Sequence, residues 1–95
     1  MKIPKTLKIG NFKYTVKLID ETSAGDKCGK SKLTTQAIRI NNAMSKELQE
    51  ETFFHELVHQ ILAQKSFHEE GANEVLIDTI SAGFYQVLKD NKLLK

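Results

Sequence analysis

The sequence predicts an α+β fold, in which a small antiparallel sheet packs on a two-helix hairpin. Three observations predict it. Apolar and polar residues alternate on either side of a Gly-Asn pair near the N-terminus, and a further short alternating segment follows a glycine-containing stretch. From Ser45 onward the apolar residues fall at helical spacing instead.

The elements follow in order. Thr6-Leu7-Lys8-Ile9 and Phe12 to Leu18 flank Gly10-Asn11. Phe12, Tyr14, Val16 and Leu18 alternate with polar residues, the period of a half-buried strand, and Gly10 is suited to the positive φ of a two-residue hairpin turn. Thr22 to Lys32, with Gly25 and Gly29, reads as a turn-rich loop. Thr35 to Ile40 reads as the third strand, with Ile38 and Ile40 facing the core. Asn41-Asn42 ends it, and Ser45 is a suitable N-cap. Lys46 to about Lys65 has helical spacing, with an expected apolar stripe of Leu57, Val58, Ile61 and Leu62. Ser66 to Gly71 connects to a second helix, Ala72 to Asp90. That helix is expected to bury Val75, Ile80, Phe84, Val87 and Leu88 and to end at Asn91. A sheet covered by a helical pair is the simplest two-layer solution for this order.

Composition bounds the function. The 95 residues suffice for one domain, and a chain of this size buries only around two thirds of its unfolded surface, so a bound metal would add needed stability. The net charge is +2, and thirteen of the fourteen basic residues are lysines scattered along the chain, with Arg39 the exception. That scatter leads to the expectation of no nucleic-acid partner and no anionic membrane. The N-terminal residues lack the apolar run of a signal peptide, and no stretch has transmembrane length, so a cytoplasmic location is expected. Cys28 is the single cysteine, expected as a free thiol in a solvated loop.

The chemistry resides in His55-Glu56-Leu57-Val58-His59. Zinc takes nitrogen and oxygen ligands at about 2 Å in tetrahedral geometry. Residues four apart on a helix share a face, so His55 and His59 present two imidazoles to one ion. Glu56 sits about 100° round the helix, outside that stripe but within reach of a water on the metal; this is the physical content of the His-Glu-x-x-His motif. A catalytic site needs a third protein ligand. His68, Glu69, Glu70, Glu74 and Asp78 are the downstream candidates. In an antiparallel helix pair, residue 77 comes level with His59, and Glu74 lies about 4.5 Å away along the axis, within a glutamate's span. Glu74 also occupies the first helical turn, where negative charge is favoured.

This motif, followed by Asn73-Glu74-Val75-Leu76-Ile77-Asp78, resembles the gluzincin pattern, in which a glutamate on a second helix completes the site. The strand and helix order over residues 35 to 90 is similar to the compact phage and prophage metallopeptidases of the ImmA/IrrE type. The resemblance implies a zinc-dependent peptidase with His55, His59 and Glu74 as metal ligands and Glu56 as general base. It also implies that Asp78 supports a zinc histidine, since a carboxylate on the far imidazole nitrogen sets tautomer and orientation. His68 is a candidate electrophile over the metal, and Tyr85 is expected to be structural. The gap from His59 to Glu74 is shorter than in large gluzincins, and no second domain is expected to supply the histidine or tyrosine that stabilises the oxyanion in larger relatives. The strand ending at Arg39-Ile40-Asn41 is expected to form a rim to which a peptide or protein substrate adds as a further strand. The competing expectation is a metal-stabilised interaction or regulatory module without turnover.

Overall fold

A computed structural model describes residues 1–20, 29–64 and 73–94. The chain is α+β, a four-stranded mixed sheet packed against two helices. The strands are β1 (Thr6–Ile9), β2 (Phe12–Ile19), β3 (Gly29–Lys32) and β4 (Ala37–Asn41); the helices are α1 (Lys46–Gln64) and α2 (Glu74–Asp90). The sheet order is β1-β2-β4-β3.

The hairpin forms as expected. Ile9 pairs with Phe12, so Gly10 and Asn11 are the turn, and Gly10 has φ +59. An added Cβ there would also meet the side chain of Gln64, whose amide donates to the Ile9 carbonyl at 2.8 Å. The turn is thus clamped to the C-terminal end of α1.

The sheet departs from the expected three antiparallel strands in two ways. It holds an additional strand, β3, inside the segment read as a loop, and β2 pairs with β4 in parallel, Val16 level with Ile38 and Leu18 with Ile40. β3 escapes a hydropathy reading because its core-facing positions are Gly29 and Ser31, opposite Ile40 and Ile38 of β4, and neither is apolar. Strand β4 starts at Ala37 rather than Thr35, because Gln36 takes a positive φ of 49 in the preceding turn. Being flanked by β2 and β3, β4 offers no free rim, and the expectation of peptide addition along Arg39-Ile40-Asn41 is corrected: β3 is the margin on that side.

The helix-facing side of the sheet carries the core. Ile9, Tyr14, Val16, Ile38, Ile40 and Phe53 are buried together, with Leu7, Phe54 and Leu57 packed against them. Phe12 and Leu18, at the ends of β2, remain exposed. Beyond β4, the Asn41 side chain accepts from the Ala43 N–H, and Ser45 Oγ caps α1 by accepting from the Leu48 N–H at 3.2 Å. Asn73 caps α2 in the same way, through the Leu76 N–H, so that helix begins at Glu74 rather than Ala72. Asn91 closes its C-terminus, as expected.

Both helices bury faces other than the apolar ones anticipated. In α1 the buried residues are Thr52, Phe53, Glu56 and Gln60, while Leu57, Val58 and Leu62 are half-buried and Ile61 is exposed. In α2 they are Ile77, Ser81 and Tyr85, whereas Val75, Phe84 and Val87 are exposed and Ile80 and Leu88 half-buried. Glu74, Asp78, Ser81 and Tyr85 fall within about 60° of one another on a helical projection. Along this line Glu74, Asp78 and Tyr85 make polar contacts with α1, and the larger apolar residues of α2 are left outside.

No described helix is long and apolar enough to cross a membrane.

Candidate metal centre

The site forms where the middle of α1 meets the first turn of α2. His55 and His59, one turn apart, bring their Nε2 atoms to 3.2 Å of each other. Glu74 spans both: its Oε2 lies 3.1 Å from His55 Nε2 and its Oε1 lies 3.1 Å from His59 Nε2. Four zinc ligands at 2.0–2.1 Å stand about 3.3–3.4 Å apart at the corners of a tetrahedron. The three edges of this cluster approach that spacing.

The donor chemistry fits a cation. His55 Nδ1 lies 2.7 Å from Asp78 Oδ1. With a cation held at Nε2, Nδ1 would carry the proton and donate it to this carboxylate. The histidines are about four-fifths buried, whereas the Glu74 side chain is 63 % exposed. Solvent thus reaches the cluster from the α2 side.

Two other carboxylates lie near enough to compete as ligands, and geometry separates their roles. Asp78 meets the far nitrogen of His55, so it cannot share an ion held at Nε2. Glu56 Oε2 stands 3.9 Å from His55 Nε2, beyond the spacing of ligands on one ion. Its other oxygen, Oε1, accepts a 2.6 Å hydrogen bond from Ser31 Oγ. Glu56 is buried and turned to the sheet rather than to the histidines' stripe, with one oxygen anchored and one free toward the centre.

Ser31 is the site residue that hydropathy and motif spacing did not find. It terminates a chain of donors that runs through the core. Gln64 Nε2 donates to the Tyr14 hydroxyl at 3.3 Å, and that hydroxyl donates to Gln60 Oε1 at 2.7 Å. The Gln60 amide is thereby oriented so that its Nε2 donates to Ser31 Oγ at 2.9 Å. With its lone pair so used, the Ser31 hydroxyl has its proton left for Glu56. Gly29 lets β3 come this close: a Cβ there would lie 2.8 Å from both the Arg39 carbonyl and Thr52 Cγ2. The available sequence signal was the pattern of polar residues at 56, 60 and 64 on α1, one helical face that a plain core would fill with leucines.

A second polar contact ties the far ends of the helices together. Tyr85 donates to Glu50 Oε1 at 2.9 Å, and Lys89 lies 3.4 Å from Glu47 and 5.5 Å above the Tyr85 ring. Burial, then the hydrogen bond and charge of Glu50, push the Tyr85 hydroxyl up from 10.0 to about 12. The residue is structural, as the sequence suggested.

His55, Glu56, His59, Glu74 and Asp78 are brought together in this one place. His68, with Glu69 and Glu70, lies outside the described residues, as does Cys28. No family model, curated protein or solved structure matches this chain.

Proposed function

We propose that this chain is a zinc-dependent metallopeptidase of the gluzincin kind, acting in the cytoplasm on a specific partner protein. The observation that carries this reading is the division of labour among the acidic groups. Glu74 closes on both Nε2 atoms, Asp78 holds the far nitrogen of His55, and Glu56 is kept off the ligand positions by Ser31 with one oxygen directed at the centre. A site that only stabilised the fold needs the two histidines and a third ligand, but not a base held beside them.

His55, His59 and Glu74 would hold the ion. When bound, zinc supplies a Lewis acid for the scissile carbonyl and lowers the pKa of a coordinated water toward neutrality. Glu56 Oε2 accepts the proton released as the carbonyl is attacked and returns it to the leaving amine. Ser31 keeps the carboxylate in one rotamer through both transfers. Asp78 maintains the His55 tautomer in which Nε2 is a ligand. An extended peptide adds along the outer margin of β3, the strand that bears Ser31, and this sets its carbonyl beside the centre.

The test is Glu56→Gln, which keeps size and hydrogen bonding but cannot take the proton. The variant should bind one zinc per chain, melt close to the wild type, and lose about 10²- to 10⁴-fold in cleavage of any substrate the wild type cuts. Substrates are sought by mass spectrometry of fragments after incubation of the zinc-loaded protein with candidate protein mixtures. Equal cleavage by the two proteins sinks the mechanism. Stoichiometric zinc with no cleavage of any protein favours the alternative, a metal-stabilised interaction module.

A further inference from the structure

The alternation that turns Tyr14, Val16, Ile38 and Ile40 toward the helices turns the intervening residues to the opposite face of the sheet. There the register sets Lys8 against Lys13, and Lys17, Arg39 and Lys30 side by side across three strands, with Lys32 farther along β3. All six are exposed, and among the described residues none of them is in an ion pair. Between them stand Thr6, Thr15 and Ala37. The described acidic residues lie on α1 and α2, except Asp20, which follows the end of β2. Lysines scattered in sequence are thus collected by folding onto one surface. The asymmetry is already present in the chain, since residues 1–41 hold nine of the fourteen basic residues and three of the twelve acidic ones.

Like charges placed directly opposite in a sheet oppose folding. Two such rows are a liability in the free protein and an asset only against a polyanion. We propose that the solvent face of the sheet binds the phosphate backbone of double-stranded DNA, independently of the metal centre on the other side of the sheet.

The chemistry of the face selects this partner. Lysine ammonium groups are point charges suited to phosphates, and the threonine hydroxyls add donors; neither set reads bases, so binding is indifferent to sequence. These strand positions carry no aromatic ring on which the bases of a single strand could stack. They carry no exposed large apolar residue to enter a bilayer, Ile19 being half-buried. From Lys8 on β1 to Lys30 and Lys32 on β3 is three strand spacings, about 14 Å. That is matched to the rims of the B-form major groove, about 12 Å wide, and not to the narrow major groove of A-form RNA.

The experiment is fluorescence anisotropy of the zinc-loaded and the chelator-treated full chain with a labelled DNA duplex of about 20 base pairs, between ~50 and ~200 mM salt. If all six cations meet phosphates, the slope of log affinity against log salt should be about −5. The triple variant Lys17→Gln, Arg39→Gln, Lys30→Gln should make it shallower by about 2.7, and the pair Lys8→Gln, Lys13→Gln by about 1.8. Both should melt no lower than the wild type, because they relieve repulsion. A control off this face with the charge change of the pair, Lys89→Gln, Lys92→Gln, should leave the slope unchanged. The proposal is overturned by absence of duplex binding at low salt, or by an equal loss in the control. It is also overturned if duplex RNA, single-stranded DNA or phosphatidylserine vesicles are preferred over duplex DNA. Because chelated protein is included, failure here leaves the peptidase reading untouched, and the reverse holds too.

Discussion

Asp78 and Ser31 each donate or accept one short hydrogen bond to a principal site residue, and the bonds differ in what they control. Asp78 meets His55 at 2.7 Å and so, in the proposed metal centre, acts on the affinity for the ion. Asp78→Ala should weaken zinc binding by about 10- to 100-fold, measured by competition with a chromogenic chelator; unchanged affinity would return Asp78 to the solvated surface. Ser31 donates to Glu56 at 2.6 Å and so, in the proposed mechanism, acts on proton transfer. Ser31→Ala should leave zinc stoichiometry intact and reduce kcat more than it raises KM, and Ser31→Thr should recover the loss. It also strands Gln60 Nε2 and Glu56 Oε1, which costs about 1–3 kcal/mol of stability. Loss of zinc from Ser31→Ala would show that the residue holds the ligand cluster rather than the base.

At the level of elements, the contact of β3 with α1 is a requirement of the site, and Gly29 makes it possible. Gly29→Ala places a methyl group 2.8 Å from a backbone carbonyl and from Thr52 Cγ2, so either the β3–β4 pairing or the helix must yield. The expected cost is about 1–3 kcal/mol, accompanied by separation of Ser31 from Glu56; urea unfolding with unchanged stability would refute the close packing. The two helices are joined at their other end by Tyr85 and Glu50. Tyr85 holds its proton more tightly in the folded chain than in the unfolded one. Its contribution is therefore fully present below the unfolded value of 10.0 and is lost as pH rises toward about 12. Over that window wild type should lose about 2–3 kcal/mol more than Tyr85→Phe, by urea titration at successive pH values. Parallel curves for the two proteins would show that Tyr85 is not the titrating group.

For the whole molecule, a metal is expected to contribute to folding. Its proposed ligands come from two helices whose mutual contact includes few large apolar side chains: Ile77 and Tyr85 are buried there, while Val75 and Phe84 are exposed. An ion binding only the folded state at a hundred times its Kd adds about 2.7 kcal/mol. For a domain of this size each kcal/mol moves Tm by about 4–8 °C. Chelation should thus lower the melting temperature by about 10 °C or more, and Glu74→Ala should melt low and respond little to chelator. A wild type indifferent to chelation would mean that the helix pair stands without its ion.

Local interactions were legible in the sequence, and long-range ones were not. The hairpin at Gly10-Asn11, the caps at Ser45 and Asn91, the extent of α1, and the pairing of His55 with His59 on one helical face all follow from backbone preferences and periods that act within a few residues. Helix rise and a first-turn charge preference, local too, singled out Glu74, and Asp78 came from the resemblance to the gluzincin pattern. What it left open was decided by elements distant along the chain. The turning of Glu56 to the sheet and the choice of polar over apolar faces on both helices each depend on a distant partner, such as Ser31 for Glu56 and Glu50 for Tyr85, 25 and 35 residues away. Strand β3 was invisible for the same reason: its inward residues satisfy a buried carboxylate and a close helix instead of filling apolar space. The basic face arose the same way, because a period of two distributes lysines evenly along a strand while the pleat and register gather them on one side. Periodicity reports which side of an element differs from the other; only the packed partners determine which of the two turns inward.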